Sequence, residues 1–427
     1  HKREIKKNNF QNIDLVIVNF YPFEKTLNTT KNHNKIIEKI DIGGPALVRS
    51  AAKNYNDVTV ITSNSQYNEL IEQIKNNKGF TTLKFRKKMS QIAFAETAYY
   101  DAVISNYFNK IDNINFPHKK IIYGNLISKL RYGENPHQES AVYSKNNILD
   151  IHQIHGKKLS YNNLNDIFSA LTISKSFPKN IGTVILKHAN PCGVSSLKNN
   201  LNSFKFALSC DPISAYGGIV SCNFKITKTI ATELNKIFFE VIIANGFDNS
   251  ALKILKKKKN LRLINAEHYV LSEVLKYTSV NRNILVQSED TKIFNKKDFK
   301  VVSKRKPSKS QFDDLMFAFN VCKYVKSNAV VLASNKTTIG IGSGQPSRLD
   351  SSQIAIDKMN KFMKSSKDIV AASDAFFPFV DGIEKLVQAG VTAVIQPSGS
   401  KNDKKIIKFA NQTKTVLVFS KTRHFKH

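Results

Sequence analysis

Short, β-branched apolar runs that alternate with longer helical patterns constrain the fold of this chain more than any other feature of its sequence. In the first part, residues 14–19 and 58–62 are typical of buried strands, and residues 43–53, which open on Gly-Gly-Pro, are typical of a helix. Strand, helix and strand in this order predict a parallel α/β layer. We therefore assign the chain to the α/β class.

A strand-and-turn pattern occurs twice in the later part of the chain. Residues 183–186 are a β-branched run that leads into Lys187-His188-Ala-Asn-Pro-Cys-Gly, and residues 328–336 are a similar run that leads into the glycine-rich segment 339–348. The repeated order of strand, turn and glycine predicts an internal duplication.

Two polar segments divide the chain into predicted domains. Residues 113–120 follow a helical pattern and resemble a linker, so we place a domain boundary near Lys120. Residues 292–306 are charged and irregular and indicate a join between subdomains. The predicted domains are 1–120 and 121–427, the second with subunits of about 121–295 and 296–427.

The charge balance is strongly basic, with 65 lysine and arginine residues against 33 acidic ones and a formal net charge of +32. Such a charge suggests a nucleic-acid or anionic-surface partner. However, 56 of the basic residues are lysines scattered along the whole length, without arginine-rich tracts or interleaved aromatic residues. We expect no nucleic-acid partner, and a lysine-rich nucleic-acid-binding protein remains the non-enzymatic alternative.

The apolar runs and the cysteines point to an intracellular protein. No apolar run approaches the roughly 20 residues of a membrane span. The four cysteines are too few and too irregularly spaced for a disulfide framework or a paired-thiolate metal site. We expect a cytoplasmic protein with reduced cysteines and no membrane partner.

Arginine is scarce, since only nine of the basic residues are arginines. A chain that uses lysine almost everywhere keeps arginine mainly where a planar, bidentate fork is needed. We interpret four of them first as anion ligands: Arg49, Arg131, Arg348 and Arg423. The alternative for Arg49, which shares a helical face with Lys53, is a solvated basic face. The alternative for Arg131 is an ordinary hydrogen-bonded loop.

Lys187 and His188 stand where a buried strand is predicted to end, with Asn-Pro and Gly as the turn. Ligands bind at such strand ends in open α/β sheets. Lysine offers a fixed positive charge, and histidine accepts a proton near neutral pH. The pair suits a reaction that needs both, and the alternative is a solvated strand end.

The segment from His188 to Cys192 partly matches zinc nucleobase deaminases, whose His-x-Glu and Pro-Cys-x-x-Cys elements bind zinc and shuttle protons. Asn190 stands where the glutamate is needed, and no second cysteine follows Cys192 at the required spacing. We expect no catalytic metal. A zinc deaminase-like enzyme remains the second enzymatic alternative.

The glycines at 340, 342 and 344 lack the pattern of a dinucleotide-binding turn. We interpret them as a close approach of the backbone to a ligand, with Arg348 nearby. Residues 373–382 place aromatic side chains beside two carboxylates, for which a core cluster is the favoured interpretation. Residues 421–427 follow a hydrophobic strand pattern, which predicts a docked chain end.

Taken together, these segments resemble the bifunctional purine-biosynthesis enzymes that couple aminoimidazole carboxamide ribonucleotide (AICAR) formyltransferase to inosine monophosphate (IMP) cyclohydrolase. The resemblance covers essentially the whole chain. It is carried, in family order, by Asn19-Phe-Tyr-Pro-Phe, Asp41-Ile-Gly-Gly-Pro, Ala51-Ala-Lys-Asn, Arg131-Tyr-Gly-Glu-Asn-Pro-His-Gln, Lys187-His188, Asn328, Gly342-Ser-Gly-Gln-Pro-Ser-Arg, Asp374-Ala-Phe-Phe-Pro-Phe and Arg423-His-Phe-Lys-His.

The resemblance implies an N-terminal methylglyoxal-synthase-like (Rossmann-like) α/β domain and a C-terminal transformylase of two cytidine-deaminase-like α/β units without zinc. It also implies a homodimer with transformylase sites at the subunit interface. Family segments with Ser-Asp-Lys-Thr, Gly-Gly-Thr and Gly-Arg-Val-Lys-Thr do not occur before Asn19. We therefore expect an N-terminally truncated cyclohydrolase domain whose activity is lost or crippled while the transformylase persists.

The resemblance also implies the chemistry and the site residues. The transformylase moves a formyl group from the co-substrate 10-formyltetrahydrofolate to the 5-amino group of AICAR, with His188 as proton acceptor and Lys187 as oxyanion partner. The matched nucleotide-binding positions are Arg131, Tyr132, Gly217, Glu240, Asn328, Arg348, Phe376 and Arg423. The matched folate-binding positions are Leu349, Asp381, Ser400 and Lys401.

The cyclohydrolase then closes formyl-AICAR to IMP with loss of water. Lys53 matches its catalytic residue. The positions that match its nucleotide-binding residues are Val18, Asn19, Asp41, Ile42, Gly43 and Gly44.

Overall fold

The computed structural model describes residues 2–271, 275–363 and 366–427. The chain forms two compact units. Unit 1 comprises the chain up to Asn125 together with Tyr143–Asn147, and unit 2 comprises Leu126–Val142 and Ile148–His427. Among the described residues, none of the helices has the length and apolar character needed to cross a membrane.

Unit 1 combines a short parallel sheet with helices. Its elements are α1 (Lys2–Lys7), β1 (Leu15–Ile17), α2 (Phe23–Thr29), α3 (His33–Ile37), α4 (Gly43–Lys53), β2 (Thr59–Ile61), α5 (Tyr67–Asn76) and α6 (Leu83–Ile111). β1 pairs with β2 in parallel. The strands predicted within 14–19 and 58–62 and the helix predicted at 43–53 are therefore confirmed.

The long helix α6 closes the core of unit 1. Thr82 caps its start, because the Thr82 side chain accepts a hydrogen bond from the amide of Phe85. The buried side chains of Phe85, Met89 and Ala93 pack against α4 and β2, where Val48 contributes to the same cluster. Burial of this apolar stripe holds the strand, helix and strand arrangement together.

Two strands follow, β3 (Asn125–Lys129) and β4 (Ala141–Ser144). The boundary between the units falls within each of them. The first half of unit 2 then contains β5 (His152–His155), α7 (Tyr161–Ser174), β6 (Thr183–Lys187), β7 (Asn190–Ser195), α8 (Asn200–Cys210), α9 (Pro212–Ala215), β8 (Ile219–Cys222), α10 (Lys228–Asn235), β9 (Val241–Ala244), α11 (Asn249–Leu255) and β10 (Arg262–Asn265).

A hairpin separates the first half from the second: β11 (Leu275–Val280) and β12 (Asn283–Ser288). The second half contains β13 (Phe299–Val301), α12 (Lys309–Cys322), β14 (Val330–Ser334), β15 (Thr337–Gly342), α13 (Arg348–Phe362), β16 (Val370–Ser373), α14 (Asp381–Gln388), β17 (Ala393–Pro397), α15 (Asp403–Gln412) and β18 (Val416–Ser420).

The two halves share one topology, as the repeated strand-and-turn pattern predicts. In the described part of the chain they form a twelve-stranded sheet with the order β13-β18-β17-β16-β14-β15-β7-β6-β8-β9-β10-β5. Each half contributes an antiparallel hairpin, an antiparallel third strand, two parallel strands and an antiparallel edge strand. The internal duplication is thus present in the fold.

The halves join through the second strands of the two hairpins. Ser195 in β7 lies opposite Thr337 in β15, and their hydroxyl groups are 2.8 Å apart. The neighbouring Thr338 hydroxyl accepts a hydrogen bond of 2.9 Å from the buried amide of Val194. Because these polar groups satisfy each other, the junction can be buried without leaving unpaired donors.

Corresponding helices also begin in the same way. Ser160 before α7 and Ser308 before α12 both form capping boxes, with Asn163 and Gln311 as the respective third helical residues. These caps orient the two helices that lie under the two hairpins.

A buried glycine in each hairpin permits close packing on the next helix. A Cβ on Gly193 would lie 1.8 Å from the carbonyl oxygen of Ala207, and one on Gly342 would lie 1.8 Å from that of Ser351. The interpretation of Gly342 as a close approach to a ligand is therefore wrong, because helix backbone fills the space beside it.

Candidate active site

The first hairpin of unit 2 turns at His188 and Ala189, directly after Lys187. Both turn residues have positive φ, 54° and 57°, as a two-residue turn between antiparallel strands requires. The prediction that Asn190-Pro191 forms the turn is wrong. These residues begin β7, where Pro191 sits at an irregularity of the strand pairing that tolerates its missing N–H.

The Lys187 side chain reaches the loop between α9 and β8. Its Nζ donates a hydrogen bond of 2.9 Å to the carbonyl oxygen of Tyr216. The next residue is Gly217, with φ of 71°, and a Cβ there would come within 4.0 Å of the Lys187 Nζ. The structure thus places the predicted nucleotide position Gly217 beside the predicted oxyanion partner, while His188 is exposed.

Glu240 adjoins the same loop. Its amide donates to the carbonyl oxygen of Gly218 at 3.0 Å, and its Oε2 accepts a hydrogen bond of 3.0 Å from Asn163 of α7. The Arg262 guanidinium lies 3.7 Å from the same Glu240 oxygen. The carboxylate is therefore held between a neutral donor and a cation next to the Gly217 turn.

The loop that begins at Arg131 is ordered by its own hydrogen bonds. Gly133 donates from its amide to the carbonyl oxygen of Gln138 at 2.7 Å, and the Arg131 guanidinium stacks over the Tyr132 ring at 5.3 Å. Asn162 of α7 donates to the carbonyl oxygen of Glu134 at 3.2 Å. This contact fixes the loop beside the helix that also carries Asn163.

In the second half, Arg348 brings together predicted site residues. Its Nη2 donates to the Oδ1 of Asn328 at 2.8 Å and to the Oδ1 of Asp374 at 2.7 Å. Its Nη1 donates to the carbonyl oxygen of Phe376 at 3.1 Å. The side chains of Arg348 and Asp374 are only 10% and 0% exposed, so this is a buried ion pair.

Asp374 is a site residue that sequence reasoning missed, since the aromatic segment around it was interpreted as core. Its carboxylate accepts hydrogen bonds from Arg348 and from the Ser327 hydroxyl, the latter at 2.6 Å. A signal was present in the scarcity of arginine, because a buried arginine needs a carboxylate partner. Spacing alone did not indicate which carboxylate pairs with Arg348.

The chain end is docked on this cluster, as predicted. His424 donates from its amide to the carbonyl oxygen of Asp374 at 2.9 Å, and Ser327 donates from its amide to the carbonyl oxygen of Lys426 at 2.9 Å. The imidazole of His424 is buried between Phe294 and Phe319. Docking of these residues holds the neighbouring Arg423 near the cluster.

The last residues carry two cations of different character. The exposed Arg423 guanidinium lies 4.3 Å from the centre of the Phe425 ring. Lys426 is partly buried, and burial, with the nearby charges of Lys276 and Lys326, lowers its pKa to about 8. Its Nζ donates a hydrogen bond of 3.0 Å to the carbonyl oxygen of Tyr324.

A direct hydrogen bond connects the two clusters of unit 2. The Oδ1 of Asn190 accepts from the amide of Lys326 at 3.1 Å, two residues before Asn328. Asn190, where the zinc deaminases have a glutamate, therefore ties the Lys187-His188 hairpin to the Arg348 cluster. Within the ranges that the structure describes, no group of three or more His, Cys, Asp or Glu side chains is arranged to hold a metal ion.

The predicted folate positions lie around the starts of α13, α14 and α15. Leu349 directly follows Arg348, and its amide donates to the Ser347 hydroxyl at 3.2 Å. Asp381 begins α14 and is exposed. Ser400 and Lys401 precede α15 in a loop whose Asn402 donates to the carbonyl oxygen of Pro378 at 2.6 Å. That contact places the loop beside the segment that leads to Asp381.

In unit 1, Asp41 organises the start of α4. Its carboxylate accepts hydrogen bonds from the amide of Gly44 at 2.8 Å and from that of Tyr21 at 3.2 Å, and its own amide donates to the Tyr100 hydroxyl at 2.8 Å. One amide of the Ile42-Gly43-Gly44 turn is therefore occupied by a carboxylate.

The remaining predicted residues of unit 1 do not converge on one point. Lys53 is the last residue of α4, so the axis of this 11-residue helix places it about 15 Å from Gly43. Val18 donates from its amide to the carbonyl oxygen of Ile61, and Asn19 donates from its side chain to Asn64 at 2.8 Å. Lys53 and the Gly43 turn thus lie at opposite ends of α4.

A cavity of about 520 Å³ lies in unit 1, and predicted Asn19 is among its lining residues. Sequence reasoning missed its acidic wall. Tyr99 donates to the Oε1 of Glu24 at 3.0 Å, and burial together with Glu24 raises the pKa of Tyr99 to about 12. Burial and the charge of Glu24 also raise the pKa of Glu96. Since Glu24 and Tyr99 are far apart in sequence, no local pattern links them.

A duplicated α/β sheet that gathers lysine, histidine, arginine and carboxylate side chains at the ends of its central strands is typical of an enzyme. A family model described as AICARFT/IMPCHase bienzyme matches residues 51–358. The chain belongs to this family, whose members combine a formyltransferase with a cyclohydrolase.

Curated relatives support this assignment over the full length of the chain. The Bifunctional purine biosynthesis protein PurH of Bradyrhizobium diazoefficiens is 42% identical over 100% of this chain and 83% of its own length. The proteins of the same name from Persephonella marina and Acetivibrio thermocellus are 42% and 41% identical, over 100% of this chain and 84% of their own lengths. These figures lend no support to the expected N-terminal truncation.

A crystal structure of ForH matches 25% of this chain and 56% of its own, at 26% identity and a TM-score of 0.23. A likeness of this extent carries no structural argument. Membership of the bienzyme family rests on the sequence relatives.

Proposed function

We propose that unit 2 transfers the formyl group of 10-formyltetrahydrofolate to the 5-amino group of AICAR, and that unit 1 closes formyl-AICAR to IMP with loss of water. The observation that carries this proposal is the Lys187-His188 turn, which adjoins Gly217 and is tied through Asn190 to the Asn328 and Arg348 cluster. A cation and a proton acceptor thus lie beside groups suited to a nucleotide.

The transfer needs a base and a positive charge. The lone pair of the 5-amino nitrogen forms a bond to the formyl carbon, and the developing charge on the formyl oxygen is stabilised by the Lys187 ammonium group. His188 accepts the amine proton as the bond forms. The bond between the formyl carbon and N10 of the folate then breaks, and N10 takes up a proton.

The three arginines have different roles in this proposal. Arg131 and Arg423 are exposed, lie over aromatic rings, and present their forks to a phosphate. Arg348 is already paired with Asp374, so its proposed role is to fix the Asn328 side chain, whose Nδ2 donates to the carbonyl oxygens of Gln345 and Pro346. The remaining proposed nucleotide contacts come from Tyr132, Gly217, Glu240 and Phe376.

The folate is proposed to bind along the starts of α13, α14 and α15. Leu349, Asp381, Ser400 and Lys401 lie at or just before these helix starts. Leu349 is adjacent to Arg348, so a folate bound there would bring the formyl group on its N10 to the nucleotide cluster. The carboxylate of Asp381 suits the donor groups of a pterin.

For the cyclohydrolase, the cavity of unit 1 has the size of a small-ligand pocket. We propose that Asn19 and the turn from Asp41 to Gly44 hold formyl-AICAR, with Val18 beside Asn19. Lys53 stands at the other end of α4 and lies outside this group. Ring closure forms a bond from the carboxamide nitrogen to the formyl carbon, and the formyl oxygen leaves as water. We further propose a cytoplasmic homodimer.

The test mixes the purified protein with AICAR and 10-formyltetrahydrofolate and measures release of tetrahydrofolate. Loss of the general base in His188→Ala should lower kcat by about 10²–10⁴-fold. The matched control is Asn335→Ala, which changes the corresponding turn residue of the second half and should leave kcat unchanged. Full release from His188→Ala, or no release from the unchanged protein, would contradict the proposal.

A further inference from the structure

Asp166 lies in α7 beneath the turn that carries His188. Its Oδ1 accepts a hydrogen bond of 2.8 Å from the amide of Ala189, and the amide of His188 also faces this carboxylate. The charges of the Asp166 carboxylate and the His188 imidazole are close enough to interact. A half-buried carboxylate therefore contacts the backbone of the turn and lies within electrostatic range of the imidazole of the proposed base.

The turn needs such an acceptor because its conformation is strained. Positive φ costs a non-glycine residue about 1–2 kcal/mol, and both His188 and Ala189 adopt it. A carboxylate that accepts from the turn amides stabilises them in this conformation. Alanine has no local preference for this conformation, so contacts from outside the turn stabilise Ala189 there.

The second half provides an internal comparison. Asp314 of α12 accepts hydrogen bonds from the amides of Asn335 at 2.8 Å and Lys336 at 2.7 Å, and these two residues also have positive φ. The fold therefore uses an aspartate under each hairpin turn. Only the first half places an imidazole above that aspartate, since the corresponding position in the second half is Asn335.

We propose that Asp166 is a positioning residue for His188: it holds the turn and, through its negative charge, stabilises the imidazolium that forms when His188 accepts the amine proton. This inference rests on the proposed role of His188. The aspartate does not touch the substrate, and it acts through the imidazole.

Other charged groups surround the pair. Glu240, directly before β9, faces Asp166 and carries a like charge, which Arg262 of β10 offsets at 3.7 Å. Lys187 precedes His188 on β6. Burial raises the pKa of Asp166, whereas the turn amides and His188 oppose that rise. Because Asp166 accepts from the turn amides, it is the group to change.

Asp166→Asn separates the two roles, because the amide oxygen still accepts from the turn amides but carries no charge. The matched control is Asp314→Asn, which makes the same change under the other turn. Thermal stability should change by the same amount in both variants. Tetrahydrofolate release should fall about tenfold in Asp166→Asn alone, and kcat in Asp314→Asn should stay unchanged.

The pH profile of kcat provides the readout that a structural role would not move. Loss of the negative charge makes the His188 imidazolium less stable, so the acid limb of the profile should move to lower pH by about half a unit in Asp166→Asn. An unshifted limb, or equal loss of activity in both variants, would overturn the inference. If His188→Ala remains active, the proposed function fails instead, whatever Asp166→Asn does.

Discussion

The buried ion pair between Arg348 and Asp374 leads to a quantitative prediction for Asp374→Ala. The guanidinium is 10% exposed and would lose its carboxylate partner, and the Ser327 hydroxyl would lose an acceptor. Breaking one side of a buried pair costs about 3–5 kcal/mol. Arg348 keeps its bonds to Asn328 and Phe376, which places the expected cost near the lower limit, about 3 kcal/mol.

The assay is thermal unfolding followed by far-ultraviolet circular dichroism, because the chain has no tryptophan for fluorescence. For a unit of this size, 1 kcal/mol corresponds to about 2 °C in Tm, so the transition of unit 2 should fall by about 6 °C. The control is Asp313→Ala, which removes a pair with Lys336 whose side chains are 43% and 47% exposed. Its expected cost is about 0–1 kcal/mol.

A double-mutant cycle with Arg348→Met isolates the pair. Either single change leaves one charge buried without its partner, whereas the double variant leaves neither, so its loss of stability should be clearly smaller than the sum of the two. Equal stability losses for Asp374→Ala and Asp313→Ala, or strict additivity in the cycle, would refute the view that this pair is desolvated and organises the cluster.

Two further predictions use single cations. Burial lowers the pKa of Lys426 to about 8, so on raising the pH the folded protein releases this proton before the unfolded chain does. Lys426 therefore makes the free energy of unfolding rise with pH between about 8 and the unfolded value near 10.4. Lys426→Met should remove that rise in urea titrations at pH 7 to 10, whereas the exposed Lys405→Met should retain it. Arg131→Lys, which loses the bidentate fork, should raise KM for AICAR about tenfold with little change in kcat, and Arg305→Lys should change neither. A raised kcat-to-KM ratio or an unchanged KM in Arg131→Lys would argue against phosphate binding by this loop.

The sequence predicted the secondary structure well wherever local pattern decides it. The helix at 43–53 has the predicted bounds, and the β-branched run at 183–186 lies within β6. The turn after β6 was predicted in the wrong place, because Asn190-Pro191 has strong turn chemistry on its own. Antiparallel pairing with β6 overrides that preference and leaves His188 and Ala189 to turn.

The candidate site was predictable only in its conspicuous residues. Lys187, His188 and the rare arginines stand out in the sequence, but their partners do not. Asp374 pairs with Arg348 from 26 residues away, and Asp166 reaches the His188 turn from the preceding helix. In the sequence alone, such aspartates cannot be distinguished from ordinary surface residues, because only the fold brings them under a turn or beside a guanidinium.

The duplicated topology explains why only one hairpin carries chemistry. Both turns rest on an aspartate and both have positive φ, so the fold supplies two equivalent positions with the same backbone geometry. At one of them the strand ends in Lys187 and the turn begins with His188; at the other the corresponding residues are Ser334 and Asn335. Asparagine and histidine are both enriched among non-glycine residues with positive φ, and Ala189 and Lys336 have positive φ as well, so backbone strain does not separate the two turns. We infer that the first turn keeps an imidazole because the reaction needs one at that position, and the paired aspartate variants measure how much of that requirement is electrostatic.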